Sequence, residues 1–441
     1  MGEEKVKIHS TSTVVPSKAV APGKCYPLSN LDHMMRLHNV RLVYYYKKFS
    51  NKASLDLISN LKISLSAVLS SYPAVCGRLQ TRDDGNWEIK CTDAGVRALE
   101  ATVDSTLENW LQTADRSAEL GLCHWEGIGS DLYISSLVYV QFNEFEGGGL
   151  AIGISCGHML ADPSCLTLMM KAWGETHRRA QVLHPPFFHP PGLKARANKN
   201  NETTATRYYE TTFKQEVSTS LNFRTVTFKF SHDMVQQCIS QVESGSHKYQ
   251  GVTAFEALSA LFWAACSKAK DLQEARLSIC TEFRKIIIAP LPHGFFGNAL
   301  HFSEVCMTAQ DLADLSRPAK AIHDDIFRLE REELRSVIEW LENHKNKEGQ
   351  LPLPFYLYGP HLTAINGEGF FTYESVFEQD EKPLHVSYYV EPMHEEGLIF
   401  VLPSAEGNLS RTVMLTLPEH QASYVCQDPD ILQFSPTLWM K

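Results

Sequence analysis

The sequence predicts an α/β protein of two domains, and three observations carry that prediction. Its 441 residues exceed the size, about 250–300 residues, at which a single hydrophobic core stops growing. Segments with strand-like and helix-like periodicity alternate in both halves of the chain. Between the halves, over residues 174–209, the periodicity gives way. Pro185-Pro186, Pro190-Pro191 and the polar tract Asn198-Lys199-Asn200-Asn201-Glu202-Thr203-Thr204 read there as a linker. The expected division is a first domain over residues 1–180, a crossover over 181–222 and a second domain over 223–441.

The elements follow in order. Val40-Arg41-Leu42-Val43-Tyr44-Tyr45-Tyr46 is rich in β-branched and aromatic residues, as a strand is. Residues 55–69 place Leu55, Ile58, Leu61, Leu65, Val68 and Leu69 at helical spacing. Asp83-Asp84-Gly85-Asn86 predicts a hairpin turn, because Gly and Asn tolerate positive φ. The apolar run over residues 150–156 predicts a buried strand. Pro163 steers Asp162 out of α conformation, so Asp162 suits a helix N-cap with Pro163 at the first helical position. Leu166, Met169, Met170 and Trp173 then face inward. In the second half, residues 224–230 alternate as a strand. Helices are expected over 253–268 and 326–341, the latter with Ile326, Phe327, Leu334, Val337, Ile338 and Leu341 on its apolar side. Ile286-Ile287-Ile288-Ala289 reads as a short buried strand, and residues 386–417 as strand-rich.

Composition excludes several classes. A formal net charge of -10 argues against nucleic acid as a partner. The 11 cysteines are odd in number and form no C-x-x-C pair, which is the usage of a reducing compartment rather than of a disulfide framework or zinc knuckle. The N-terminus is charged, and no apolar run approaches the roughly 20 residues that span a bilayer. A cytoplasmic chain without a transmembrane segment is expected, with the sequons at Asn201 and Asn408 inert.

His158 and Asp162 are the candidate chemical pair. Histidine is the side chain whose ordinary pKa suits proton transfer near neutral pH. An H-x-x-x-D spacing alone is weak, and a histidine hydrogen-bonded at a strand end competes with a catalytic base. For Asp162 an N-cap and ion-pair role is favoured over direct chemistry, and for Asn298 a turn role and a site role stay open. His184 and His189 are too loosely spaced on the linker for a metal site. No metal and no permanently bound cofactor are expected.

Four segments together resemble the plant BAHD acyltransferase superfamily: residues 61–79 from Leu61 to Leu79, His158 to Asp162, Phe255 to Trp263, and Pro290 to Asn298 with its closing Phe296-Gly297-Asn298. The resemblance implies a chloramphenicol acetyltransferase-like fold, two domains with a channel between them. It implies acyl-CoA as substrate or ligand, His158 as the general base that takes the acceptor's proton, and Asp162 paired structurally with Arg284. The chain departs from the family at its D-F-G-W-G segment, where Val376-Phe377-Glu378-Gln379-Asp380 stands before Glu381-Lys382-Pro383 and only the phenylalanine survives. Glu378 and Asp380 would resist a left-handed backbone if one were required there. The three carboxylates favour an exposed loop.

An intact histidine with an eroded second motif is similar to the eceriferum/glossy branch, which residues 31–41 and 355–363 also resemble. That branch implies an accessory role in very-long-chain fatty acid elongation for cuticular wax. The implied partner is an elongase condensing enzyme, with the chain, as a monomer, at the cytosolic face of the endoplasmic reticulum. The rival expectation is an acyl-CoA-dependent O- or N-acyltransferase using His158.

Overall fold

The computed structural model describes residues 5–20, 23–47, 54–129, 131–188, 204–214, 222–246, 249–285, 294–346, 351, 356–359, 361–378 and 381–439. Two large sheets organise it. The first has six strands in the order Val6–Val14, Val96–Thr106, Val138–Glu146, Leu150–Gly157, Asn39–Tyr46 and His385–Glu391. The second has seven, in the order Leu300–Thr308, Glu274–Glu282, Leu362–Asn366, Leu398–Pro403, Arg411–Pro418, Phe223–Phe230 and Thr437–Trp439. A small three-stranded sheet, Cys25–Pro27, Trp87–Lys90 and Arg78–Thr81, includes the hairpin expected at Gly85, whose φ is +80°. One strand of the first sheet, His385–Glu391, comes from late in the chain. It pairs antiparallel with Asn39–Tyr46, setting Glu391 opposite Asn39.

The strand Leu150–Gly157 is buried along its whole length, which is why its sequence shows no alternation. The helix Pro163–His177 begins as the sequence predicts: Asp162 is its N-cap, accepting from the Cys165 N–H, and Pro163 opens it. Leu166, Met169, Met170 and Trp173 have no exposed surface. In the second half the helix Ala254–Ala269 starts with a capping box between Thr253 and Glu256, and Phe255, Leu258 and Phe262 lie in a core of their own.

Two expectations need correction. The helix expected over 326–341 is two helices, Ser316–Arg328 and Arg331–Asn343. Leu329 is extended (ψ 99°), and Glu330 caps the second helix through a box with Glu333. The apparent periodicity joined residues on two helices, and Phe327 is 71% exposed. The linker read from residue 174 starts too early, because Gly174 lies inside a helix that runs to His177. A further helix, Thr204–Lys214, buries Tyr208 and Tyr209. The strand expected at Ile286 to Ala289, and most of the Pro/Asn-rich tract, lie outside the described residues.

Candidate functional site

His158 stands one residue beyond the strand Leu150–Gly157 and has no exposed surface. Its backbone is held from both sides. The N–H donates to the His38 carbonyl at 2.9 Å, and the carbonyl accepts from Asn298 Nδ2 at 2.8 Å. Asp162, equally buried, accepts from the Cys165 N–H at 3.0 Å through Oδ1. Its Oδ2 accepts from the Ala299 N–H at 3.1 Å and lies 2.8 Å from Arg284 Nη2. Arg284 also reaches Glu282 at 2.8 Å and the Gly297 carbonyl at 2.9 Å. Burial opposes the guanidinium charge, but the neighbouring Asp162, Cys165 and Glu282 raise its pKa. Asp162 therefore works as a fastener between the helix Pro163–His177 and the loop that carries Asn298.

Asn298 supplies a second fastener. Its Nδ2 donates to Asp32 Oδ1 at 2.9 Å as well as to the His158 carbonyl, and its backbone N–H donates to the same Asp32 oxygen at 2.9 Å. With both amide donors on acceptors, the side chain has one consistent orientation. Asp32 holds itself ready through Ser29, whose N–H and hydroxyl donate to Oδ2 at 2.8 and 2.6 Å. Burial pushes the Asp32 carboxyl up, while the Ser29 and Asn298 donors act in the opposite sense.

The imidazole itself faces Tyr358. The tyrosine hydroxyl is 3.0 Å from His158 Nε2, and the rings are inclined by 30° with centroids 5.7 Å apart. Burial lowers the pKa of His158, against smaller opposing contributions from its own backbone, Asp162 and Asn298. A neutral ring is the protonation state a general base needs. Asp32, His38 and Tyr358 join His158, Asp162, Arg284 and Asn298 here, although sequence reasoning named none of the three as a site residue. A cavity of ≈ 30 Å³, enough for about one water, borders the Asp32 side and is lined by Tyr26, Ser29, Asp32, Leu160, Phe296 and Gly297 among others. His158 is not part of that lining. Among the described residues no cluster of three or more His, Cys, Asp or Glu could hold a metal ion. Among them, too, no helix is long and apolar enough to cross a membrane.

The segment that departs from the family motif lies at the other end of the same helix. Phe377, 1% exposed, packs edge-on against Trp173 at 4.9 Å, His177 at 5.8 Å and Tyr46 at 5.8 Å. Gly174 lets the helix approach this segment closely, since a Cβ there would lie 2.4 Å from the Val376 carbonyl oxygen. Glu378 is not among the residues with left-handed backbone, so no positive φ is imposed on it. Gln379 and Asp380 lie outside the described residues.

The profile of the Transferase family matches residues 4–432. The chain belongs to that family. It is the BAHD family of the sequence resemblance, and its relatives include the eceriferum branch. ECERIFERUM 2 of Arabidopsis thaliana is 27% identical over 418 residues, covering 92% of this chain and 94% of that protein. Hydroxycinnamoyltransferase of Narcissus pseudonarcissus is 25% identical, covering 95% and 98%. Among solved structures, TRI101 of F. graminearum complexed with coenzyme A and T-2 mycotoxin shares the fold. Its TM-score is 0.77 at 13% identity, over 95% of this chain and 100% of that one. The two-domain mixed α/β fold expected for a BAHD protein is therefore the fold of this chain.

Proposed function

We propose that this BAHD protein is an accessory of very-long-chain fatty acid elongation in cuticular wax biosynthesis. In this reading it holds or presents a long acyl-CoA to an elongase condensing enzyme at the cytosolic face of the endoplasmic reticulum. The observation that carries the reading is the end-to-end likeness to ECERIFERUM 2. It is supported by the replaced segment at 376–381, where the family's glycines give way to acidic residues. Each methylene buried contributes about 0.8 kcal/mol. A two-carbon extension held against apolar side chains would thus be retained about 15-fold more strongly, enough to bias chain length.

The second reading is an acyl-CoA-dependent O- or N-acyltransferase with His158 as general base. The observation favouring it is the neutral, buried imidazole on a framework of Asp162, Arg284 and Asn298. Both readings take acyl-CoA, as the coenzyme A complex of TRI101 suggests. Co-expression in yeast of the wild type or His158→Ala with an elongase condensing enzyme separates them. Acyl chains lengthened by both variants support the accessory role. No lengthening by either, with acyl-CoA consumed by purified protein only when His158 is present, overturns it in favour of the transferase.

A further inference from the structure

The contact between Tyr358 and His158 has a specific chemical meaning in this fold. A general base of acyl transfer must offer its free nitrogen to the hydroxyl or amine of the acceptor at hydrogen-bond distance. Here that nitrogen, Nε2, already faces a hydroxyl at 3.0 Å, and the hydroxyl belongs to the protein. With the ring proton on Nδ1, the Tyr358 hydroxyl donates to Nε2 as an acceptor alcohol would.

The tyrosine is not a loose side chain that happens to lie there. It is 1% exposed, with Phe302 edge-on at 5.1 Å and His38 edge-on at 5.1 Å. The backbone on either side is tied down. Leu357 donates its N–H to His38 Nε2 at 3.3 Å and accepts from the Tyr208 hydroxyl at 2.8 Å. The Gly359 carbonyl accepts from the Glu396 N–H at 2.8 Å. Gly359 has φ +97°, and a Cβ there would lie 2.1 Å from the His394 carbonyl oxygen, so only glycine lets the chain turn this closely behind Tyr358. Two effects meet at His158: burial lowers the pKa of the imidazole, and the Tyr358 phenol fills the hydrogen-bonding position at Nε2.

We propose that Tyr358 is a built-in occupant of the acyl-acceptor position, the residue that sets an otherwise competent His158 aside from transfer. The reaction held back is conventional. An acceptor O–H would give its proton to Nε2 as its oxygen bonds to the thioester carbonyl carbon. The C–S bond would then break, and the coenzyme A sulfur would leave with the proton returned by the imidazolium. The products are an ester, or a carboxylic acid when water is the acceptor, and free coenzyme A thiol. This inference stands apart from the elongation reading, because its test contains no elongase.

The test uses the purified full chain with palmitoyl-CoA in the presence and absence of a small primary alcohol, following thiol release. Wild type is expected at the uncatalysed background. Tyr358→Ala, which opens the position, is expected to release thiol at least tenfold faster, and Tyr358→Phe, which keeps the ring packing and removes only the hydroxyl, by a smaller factor. Tyr358→Ala combined with His158→Ala should return to background. A wild-type rate that already depends on His158 overturns the proposal. So do Tyr358→Ala and Tyr358→Phe both remaining at background, or a gain that survives in the double variant. Should Tyr358→Ala fail to fold, Tyr358→Phe alone decides by the same criterion.

Discussion

The helix Pro163–His177 is gripped at both ends, and the two grips are made differently. At its N-terminus the loop of His158 is fastened by charge and hydrogen bonds. Asp162 meets Arg284, and Asn298 meets Asp32 and the His158 carbonyl, all five residues at most 8% exposed. At its C-terminal turns, Trp173 and Gly174 meet Phe377 and Val376 through apolar packing and close backbone approach. Polar fasteners fix atoms in one arrangement because a buried donor or charge left unpaired is costly. Apolar packing tolerates replacement so long as volume is conserved. The departure from the family motif sits at the tolerant end, and the histidine framework at the exacting end. The difference gives the His158 framework a structural reason to persist whatever its chemistry, since dismantling it would leave buried charges and donors unpaired.

The largest effect is expected at the polar grip. Asp162→Ala removes the N-cap and leaves Arg284 buried with Glu282 as its remaining carboxylate, and should destabilise the chain by about 3–5 kcal/mol in urea unfolding. Asp162→Asn keeps a cap acceptor and should recover about 1 kcal/mol of that loss. A cost for Asp162→Ala below about 1 kcal/mol would mean the polar grip does not hold the helix, and the contrast would fail.

Titration sharpens the same contrast, because buried neutral imidazoles gather around the polar grip. Burial pulls His301 down to about 3, and burial with the Lys345 and Arg36 charges pulls His33 down to about 4. His38 lies well below its ordinary value for the same reason, with His158 lowered too. Unfolded rings bind protons near pH 6.5, whereas folded His301, His33 and His38 do so only at much lower pH. Between those limits the unfolded chain carries the extra protons. Stability is thus complete above about pH 6.5 and lost as pH falls toward 4, by up to about 1.4 kcal/mol per pH unit for each ring. Urea unfolding at pH 7 and pH 5 should show the decline. His301→Asn, which keeps an amide partner for the Tyr209 hydroxyl at the position of Nδ1, should flatten it. An unchanged slope in that variant would remove His301 from the account.

What the sequence disclosed follows the same physical division. Asp162-Pro163 was legible because proline and capping act on adjacent residues, and the buried strand before His158 because a run of apolar side chains is itself the signal. The order of motifs identified the fold. Asp32 was half legible: Ser29 and Asp32 form a capping box three residues apart, but the second carboxylate oxygen serves Asn298, 266 residues away. Tyr358 lies 200 residues from His158, and no local rule marks a tyrosine whose hydroxyl will meet a histidine. The false helix over 326–341 shows the converse failure, since two helices in succession imitate one period when no glycine or proline marks the break at Leu329 and Glu330.

The smallest effects belong to the apolar grip, and they test whether the altered segment, rather than Tyr358, governs thiol release. Gly174→Ala gains helix propensity of about 1 kcal/mol, but its Cβ would lie 2.4 Å from the backbone oxygen of Val376, which cannot rotate away. The clash wins, with a net destabilisation of about 1–3 kcal/mol. Gly127→Ala, where a Cβ meets nothing within 4 Å, should be nearly neutral under the same urea assay. Glu378→Gly restores a glycine in the altered segment where no left-handed backbone calls for one, so it should cost less than about 1 kcal/mol, mainly by loosening the unfolded chain. It should also leave thiol release from palmitoyl-CoA at the wild-type background. If Glu378→Gly released thiol while both Tyr358 variants did not, the silent element would be the eroded segment acting through the helix, and the phenol would be a bystander.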